Sequence, residues 1–250
     1  SAQQTQGPQT QFDGSLSLVH EFQPGHEAFA SASLLHKNPS MIALYGYSEG
    51  GLPVQGNPNL PVERLEVYSL GYNIVEKNHG FWLNTWYSHH RNMALRTTSS
   101  QGLGQFILVN EAQTYGLSGQ FSCQFLNYWG ALLSASLERT RNHDLDTELT
   151  FKPHYIVSAT LSYEISKQIS LSVEDVYIGT RYFSSSNVSR FPNGSTEPMN
   201  WTNLKSDIAW GPGSLYFKVA NIFDAAGFDN PAYPYPGRSF WAGYTYTGGL

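Results

Sequence analysis

From Tyr155 to Ile165 the chain reads YIVSATLSYEI, with Tyr155, Val157, Ala159, Leu161, Tyr163 and Ile165 set against Ser158, Thr160, Ser162 and Glu164. A period of two belongs to a strand, because successive β side chains point to opposite faces. The same alternation sets Tyr115, Leu117, Gly119, Phe121, Cys123 and Phe125 against Gly116, Ser118, Gln120, Ser122 and Gln124. It also sets Trp129, Ala131, Leu133, Ala135 and Leu137 against Ser134, Ser136 and Glu138. Read along the whole chain, it predicts eleven strands, over 14–22, 27–36, 63–75, 81–91, 112–126, 129–138, 154–165, 169–183, 200–210, 214–222 and 239–247. After Val173, Glu174 and Asp175 interrupt the pattern, which predicts a β-bulge. No stretch carries a 3.6-residue stripe. The apolar face of such strands meets either a second protein layer or lipid, and the period is the same in both cases.

The connections separate those cases. They run QPGH (23–26), a loop over 37–62, EKNHG (76–80), a loop over 92–111, LNY (126–128), a loop over 139–153, SKQ (166–168), a loop over 184–199, GPG (211–213) and a loop over 223–238. Short and long alternate throughout. In an up-and-down antiparallel sheet this puts every tight turn on one rim and every long loop on the other, as in outer-membrane barrels. Greek-key sandwiches do not sort their loops in this way. All thirteen prolines fall in the tail, turns, loops or at the first residue of a predicted strand, as strands paired on both sides require. Aromatics gather near strand ends, at Phe81/Trp82, Tyr128/Trp129, Tyr182/Phe183 and Trp210, where interfacial girdles sit.

Composition points the same way. Charged residues make up 13 % of the 250 positions and aromatics 14 %, against roughly 25 % charged in ordinary soluble domains. A formal charge of −5 gives no basic footprint for nucleic acid. The lone Cys123 has no disulfide partner in the chain, and no Cys/His spacing matches a zinc site; Cys123 is expected to face lipid as a small apolar residue. SAQQTQGPQTQ lacks the features of a signal peptide, and the longest apolar runs fall far short of the ~18–20 residues of a membrane helix. Bacterial single-chain membrane barrels have even strand numbers. Eleven strands are therefore expected to be part of a larger barrel whose remaining strands are N-terminal.

Three segments resemble a known family. NPSMIALYGYSEGGLPVQGNPNLPVERLEVYSLGY (38–72) is similar to the box Ps..eLYg…gNPnL.PE…elGY of TonB-dependent outer-membrane receptors. VANIFDAAGFDNPAYPYPGRSFWAGYTY (219–246) looks like the closing v.NlFd…y…yp.pGR.f..g..y.F of that family, and VYIGTRYF (176–183) fits the strand before it. Two departures stand out. The proline of Leu-x-Pro-Glu is displaced in Leu60-Pro61-Val62-Glu63, and Gly248 replaces the usual terminal aromatic. The resemblance implies an all-β fold, a transmembrane antiparallel up-and-down β-barrel, with residues 1–250 as the C-terminal half of a 22-stranded barrel. It places the plug and the segment that engages TonB-ExbB-ExbD in a missing N-terminal region.

The resemblance also implies the function: a receptor in the bacterial outer membrane, surrounded by lipid and lipopolysaccharide, that binds a metal chelate and imports it with TonB-derived energy. A ferric siderophore is the expected cargo, with cobalamin or copper as alternatives. No covalent cofactor, resident metal or catalytic residue is expected. By position, ligand contacts are expected from Tyr45, Tyr47 and Gln55 in the first long loop, His89, His90 and Arg91 at the top of a strand, Arg190 and Phe191 in the fourth loop, and Tyr233 and Tyr235 in the last. Aromatic faces can stack on a chelate and arginine can meet an anionic one. His89 and His90 alternate in direction, so at most one faces the lumen.

Competing readings are a passive porin, a barrel enzyme and a soluble β-sandwich lectin. HDLDTE (143–148) lacks the glycine and spacing of a calcium loop. No serine-hydrolase signature is present. The haem branch of the family carries a histidine in its box, and none lies between Pro39 and Asn57. Met41, Met93 and Met199 are thin support for copper. Asn187, Asn193 and Asn200 match glycosylation acceptors, a pattern frequent by chance.

Overall fold

A computed structural model of the chain describes residues 11–49, 52–98, 103–149, 152–182, 195–230 and 233–246. Its strands are β1 (Gly14–Gln23), β2 (His26–Lys37), β3 (Tyr47–Glu49), β4 (Leu52–Val54), β5 (Glu63–Val75), β6 (His79–Thr98), β7 (Gly104–Phe125) and β8 (Trp129–Asn142), followed by β9 (Tyr155–Ser166), β10 (Ile169–Ile178), β11 (Met199–Trp210), β12 (Gly213–Ala220), β13 (Phe228–Asn230), β14 (Tyr233–Pro234) and β15 (Ser239–Tyr246). Eleven of them form one sheet in the order β1-β2-β5-β6-β7-β8-β9-β10-β11-β12-β15, with β1 and β15 as its edges. Every neighbouring pair in it is antiparallel. The other four make two small hairpins, β3-β4 and β13-β14, inside long connections.

The cross-strand register carries the sequence period through the sheet. Phe81 lies opposite Phe121, Phe121 opposite Leu133, and Leu133 opposite Ala159. A second row joins Ala30, Leu70, Thr85, Leu117, Leu137 and Tyr155. The opposite face is polar, with Ser118 bonded to Ser136 at 2.9 Å and Ser134 to Ser158 at 2.6 Å. Among the described residues no second layer covers the apolar face: Leu133 and Phe217 are each 50 % exposed and Leu161 45 %. The buried apolar side chains among the described residues are Ala43, Val54, Leu60, Val109, Ala112, Leu149, Ile178 and Met199, in the long connections or at strand ends beside them. A sandwich would bury one face of its sheet. This one is a single layer, the wall of a partial transmembrane barrel.

Two rows of aromatics bound the apolar face. Tyr68, Tyr87, Tyr115, Tyr155 and Tyr177 lie toward the long connections, with Tyr68 stacked on Tyr87 at 6.4 Å and Tyr155 on Tyr177 at 5.7 Å. Phe125, Trp129 and Tyr163 lie toward the tight turns, their ring centroids 6.4 Å and 4.6 Å apart in sequence, with Trp210 and Tyr246 at the same end. Amphipathic rings at both margins of an apolar band are the girdles of membrane barrels. Trp82, grouped with the girdle in the sequence reading, instead sits on the polar face, opposite Asn73 and Gln120. Phe183 lies outside the described residues.

Three other expectations are corrected. The β-bulge at Glu174 and Asp175 is absent: the register of β10 runs unbroken from Ser170 to Ile178 against both neighbours. The two carboxylates instead point to opposite faces, Glu174 accepting from Asn203 Nδ2 at 2.9 Å and Asp175 from the Thr202 hydroxyl at 2.8 Å. The loop expected over 92–111 is largely strand, because β6 and β7 continue past the girdle as a projecting hairpin. Asn92 has a left-handed backbone (φ 60°) at the point where the projection starts, and Val109, Ala112 and Leu149 pack beneath it with Met93, Leu95 and Ile107. One short helix, α1 (Met41–Tyr45), occurs where none was expected, capped by the Ser40 hydroxyl on Ala43 N–H. No helix among the described residues is long and apolar enough to cross a membrane. Pro53 and Pro234 sit within β4 and β14, in loop hairpins, while the large sheet has no proline among the described residues.

The layer arrangement predicts the effect of a charge on either face. Leu133→Arg should destabilise the assembled barrel by roughly 2–4 kcal/mol and abolish its heat-modifiable band in gel electrophoresis. Thr160→Arg, on the polar face, should leave that band in place.

Candidate functional site

The residues expected to touch a ligand fall in separate places. Tyr45 ends α1 and is exposed. Tyr47, in β3, has the Arg96 guanidinium 5.8 Å from its ring centre. Gln55 is pinned by its backbone to the projecting hairpin, its N–H on Gly104 O at 2.8 Å and its carbonyl accepting from Phe106 N–H at 3.0 Å. The first long loop is thus strapped to the tip of β7.

In the run His89-His90-Arg91 only His90 points to the polar face. Its Nδ1 meets Glu63 Oε1 at 2.9 Å and its Nε2 the Ser88 hydroxyl at 3.2 Å. His89 lies on the apolar parity just above the tyrosine row, 3.0 Å from Glu111 Oε1. Arg91 shares that face, opposite Arg64 and Glu111 in register. Arg190 and Phe191 lie outside the described residues. Tyr233 belongs to β14.

Tyr235 is at the far end of the sheet, beside a strand five places from β6. Adjacent strands are about 4.8 Å apart, so His90 and Tyr235 mark different parts of the wall. Tyr235 accepts from Arg181 Nη2 at 3.4 Å, and its ring lies 4.9 Å from that of Trp201. Arg181 is buried, 5 % exposed.

Around Tyr235 the polar face forms a cavity of about 400 Å³. Trp201 and Asn203 of β11, Tyr216 and Lys218 of β12, and Trp241 of β15 form its wall, and residues 225–227 and 235–237 of the last long connection form its rim. Each wall residue has polar-face parity, and Lys218 stands opposite both Lys205 and Trp241. Two close approaches shape it. Tyr216 lies over Gly243, where an added Cβ would meet its ring at 2.5 Å, and Met199 Sδ would be 2.0 Å from one on Gly227.

Asn221 holds the rim. It is buried with a left-handed backbone (φ 52°), a conformation that asparagine tolerates better than most residues. Its N–H donates to Asn203 Oδ1 at 3.0 Å, its Nδ2 donates to Ala225 O at 2.9 Å, and its Oδ1 accepts from Ala225 N–H at 2.8 Å. Asp224 closes the loop by accepting from Arg238 N–H at 2.7 Å. Chemically, the cavity offers flat aromatic faces, one ammonium and amide groups, a combination suited to binding. No group of three His, Cys, Asp or Glu side chains able to hold a metal occurs among the described residues.

The sequence reading missed Trp201, Tyr216, Lys218 and Trp241, because it sought ligand contacts in the long loops and at the top of one strand, away from the walls of the last three strands. The available signal was bulky or cationic side chains at polar-parity positions of the last three strands.

Comparison with known proteins defines the class. Residues 1–222 match the family model "TonB dependent receptor-like, beta-barrel". The chain belongs to the TonB-dependent receptor β-barrel family. A search of curated proteins finds no match. Among solved structures it is similar to the copper transporter OprC (TM-score 0.77, 15 % identity, 94 % of this chain and 39 % of that one). A variant of the ferric enterobactin receptor PfeA from Pseudomonas aeruginosa, in complex with enterobactin, superposes with TM-score 0.71 at 17 % identity over 92 % of this chain and 40 % of that one. The siderophore receptor PirA from Acinetobacter baumannii gives 0.70 and 15 %, over 94 % and 40 %. The chain spans about two fifths of the length of these structures.

Asn221→Ala removes the side-chain hydrogen bonds to Ala225 O, Ala225 N–H and Pro236 O and places alanine in the left-handed region. It should lower stability by about 2–4 kcal/mol, read as a drop in unfolding temperature, and expose 222–238 to limited proteolysis. Asn221→Asp, which keeps the acceptor for Ala225 N–H, should lose less.

Proposed function

We propose that this chain is the C-terminal portion of an outer-membrane receptor that binds a metal chelate on its polar face and imports it with energy from the TonB system. The observation carrying the proposal is the single-layer wall: an uncovered apolar face between two aromatic rows, with a polar face opposite, in a member of the TonB-dependent receptor family. A ferric siderophore is the favoured cargo. Two of the three similar structures named above are siderophore receptors and one is a copper transporter, while the aromatic and cationic cavity under the last long connection suits a planar, anionic chelate. The mechanism asks no covalent chemistry of the barrel. It binds by shape, stacking and charge, and the long connections close over the cargo.

Strand direction supports a longer polypeptide. β1 leads into a tight turn and β15 leaves a long connection, so both run from the long-loop rim to the tight-turn rim. A second copy turned about the barrel axis would set β15 beside a parallel β1. Closure with antiparallel ladders needs an odd number of additional strands that begin and end in the opposite direction, and in lipid each open edge leaves backbone groups unpaired at several kcal/mol apiece. Another eleven would complete a 22-stranded barrel. The plug and the TonB-contacting segment belong with them.

The test is uptake by cells carrying the full-length receptor, in a strain deleted for it. Labelled ferric siderophore should accumulate, and accumulation should stop on dissipation of the proton gradient or deletion of tonB. Accumulation indifferent to both would make the protein a passive channel.

A further inference from the structure

We infer that Lys205 and Lys218 form an anion-binding station on the barrel wall, one that takes a carboxylate which the described residues do not supply. The inference deepens the receptor reading and rests on it for one point, that the polar face encloses the lumen.

Lys205 and Lys218 stand directly opposite each other across the β11-β12 ladder. Like charges in that relation repel and destabilise a sheet, so two lysines there call for a negative charge between them. Lys205 has one: Asp207 Oδ2 lies 2.8 Å from its Nζ, and the Tyr216 ring centre is 5.8 Å away. Lys218 has no ion pair or hydrogen bond among the described residues. The other carboxylate on this part of the face, Glu174, lies across β11 and is occupied by Asn203. Two ammonium groups meet two carboxylates, Asp207 and Glu174, and of these four charges Lys218 is the one with no ion-pair or hydrogen-bond partner among the described residues.

The surroundings of Lys218 fit an incoming group. It is half-buried in the wall of the 400 Å³ cavity, next to Trp241 in register and with Trp201, Asn203 and Tyr216 beside it. Partial removal from water strengthens its attraction for an anion. The Asn203 amide is already satisfied at both ends, by Glu174 and Asn221, which leaves the ammonium as the group free to choose a partner. The cavity has room for a small polycarboxylate or for an acidic side chain.

A carboxylate can reach this place from two sources, a small molecule in the lumen or an Asp or Glu elsewhere in the receptor. The experiment uses the purified full-length receptor. Citrate is titrated at constant ionic strength while tryptophan emission is followed, since Trp201 and Trp241 line the cavity. For a small-molecule source, emission should change saturably in the wild type and in Lys218→Arg, with affinity at least tenfold weaker in Lys218→Gln. For an internal source, citrate should be silent, and treatment of the wild type with a water-soluble carbodiimide should join Lys218 by an amide to a carboxylate other than Asp207, located by mass spectrometry. Either result supports the station and identifies its source. Equal citrate responses in wild type and Lys218→Gln, together with no such amide, would overturn it. Loss of uptake with either response intact counts against the transport reading and leaves the station standing.

Discussion

Hydrocarbon offers a peptide group nothing to bond with, and that constraint orders the whole molecule. Each backbone N–H and C=O within the span has to find a partner inside the sheet. The outcome is an antiparallel ladder running through all eleven strands, without proline in its described strands and with its irregularities near strand ends and at Asn92, where the β6-β7 projection begins. The asymmetry of those connections follows from the up-and-down path, which returns the chain to the same rim at every second turn.

The same constraint separates the chemistry of the two faces. On the apolar side, surface that would be a liability in water becomes the means of insertion, and aromatic rows mark where hydrocarbon gives way to polar headgroups. On the polar side, serines pair across strands, Glu174 is matched by Asn203, and large rings such as Trp201, Tyr216 and Trp241 stand on the wall without needing a core. Binding chemistry is therefore written on alternate residues of strands as much as on loops.

Most of the sheet was legible in the sequence, because a period-two pattern in lipid has only one geometry. The strand at 63–75 was read to the residue, and others to within a few positions. The failures have physical causes. The β6-β7 projection stands above the girdle, where neither face meets hydrocarbon, so its alternation is diluted by polar residues and broken at Asn92. Glu174 and Asp175 looked like an interruption because each carboxylate has a neutral hydrogen-bonding partner on a neighbouring strand, which a single-strand reading does not see. The site was less legible. His90 and Tyr235 could be placed near the long-loop rim, but the cavity is assembled by β11, β12 and β15 together with a loop pinned by Asn221, and only cross-strand register shows Lys205 facing Lys218.

The central claim is that lipid bathes the odd-numbered face of β8. Nitroxide labels placed singly from Trp129 to Leu137 in the full-length receptor, in a Cys123→Ala background and reconstituted in bilayers, measure it directly through collision with oxygen and with a water-soluble nickel complex. The account predicts that oxygen accessibility rises at 131, 133, 135 and 137, falls at the positions between, and peaks near Leu133. Uniformly low accessibility at those odd positions, or nickel exceeding oxygen there, would contradict it.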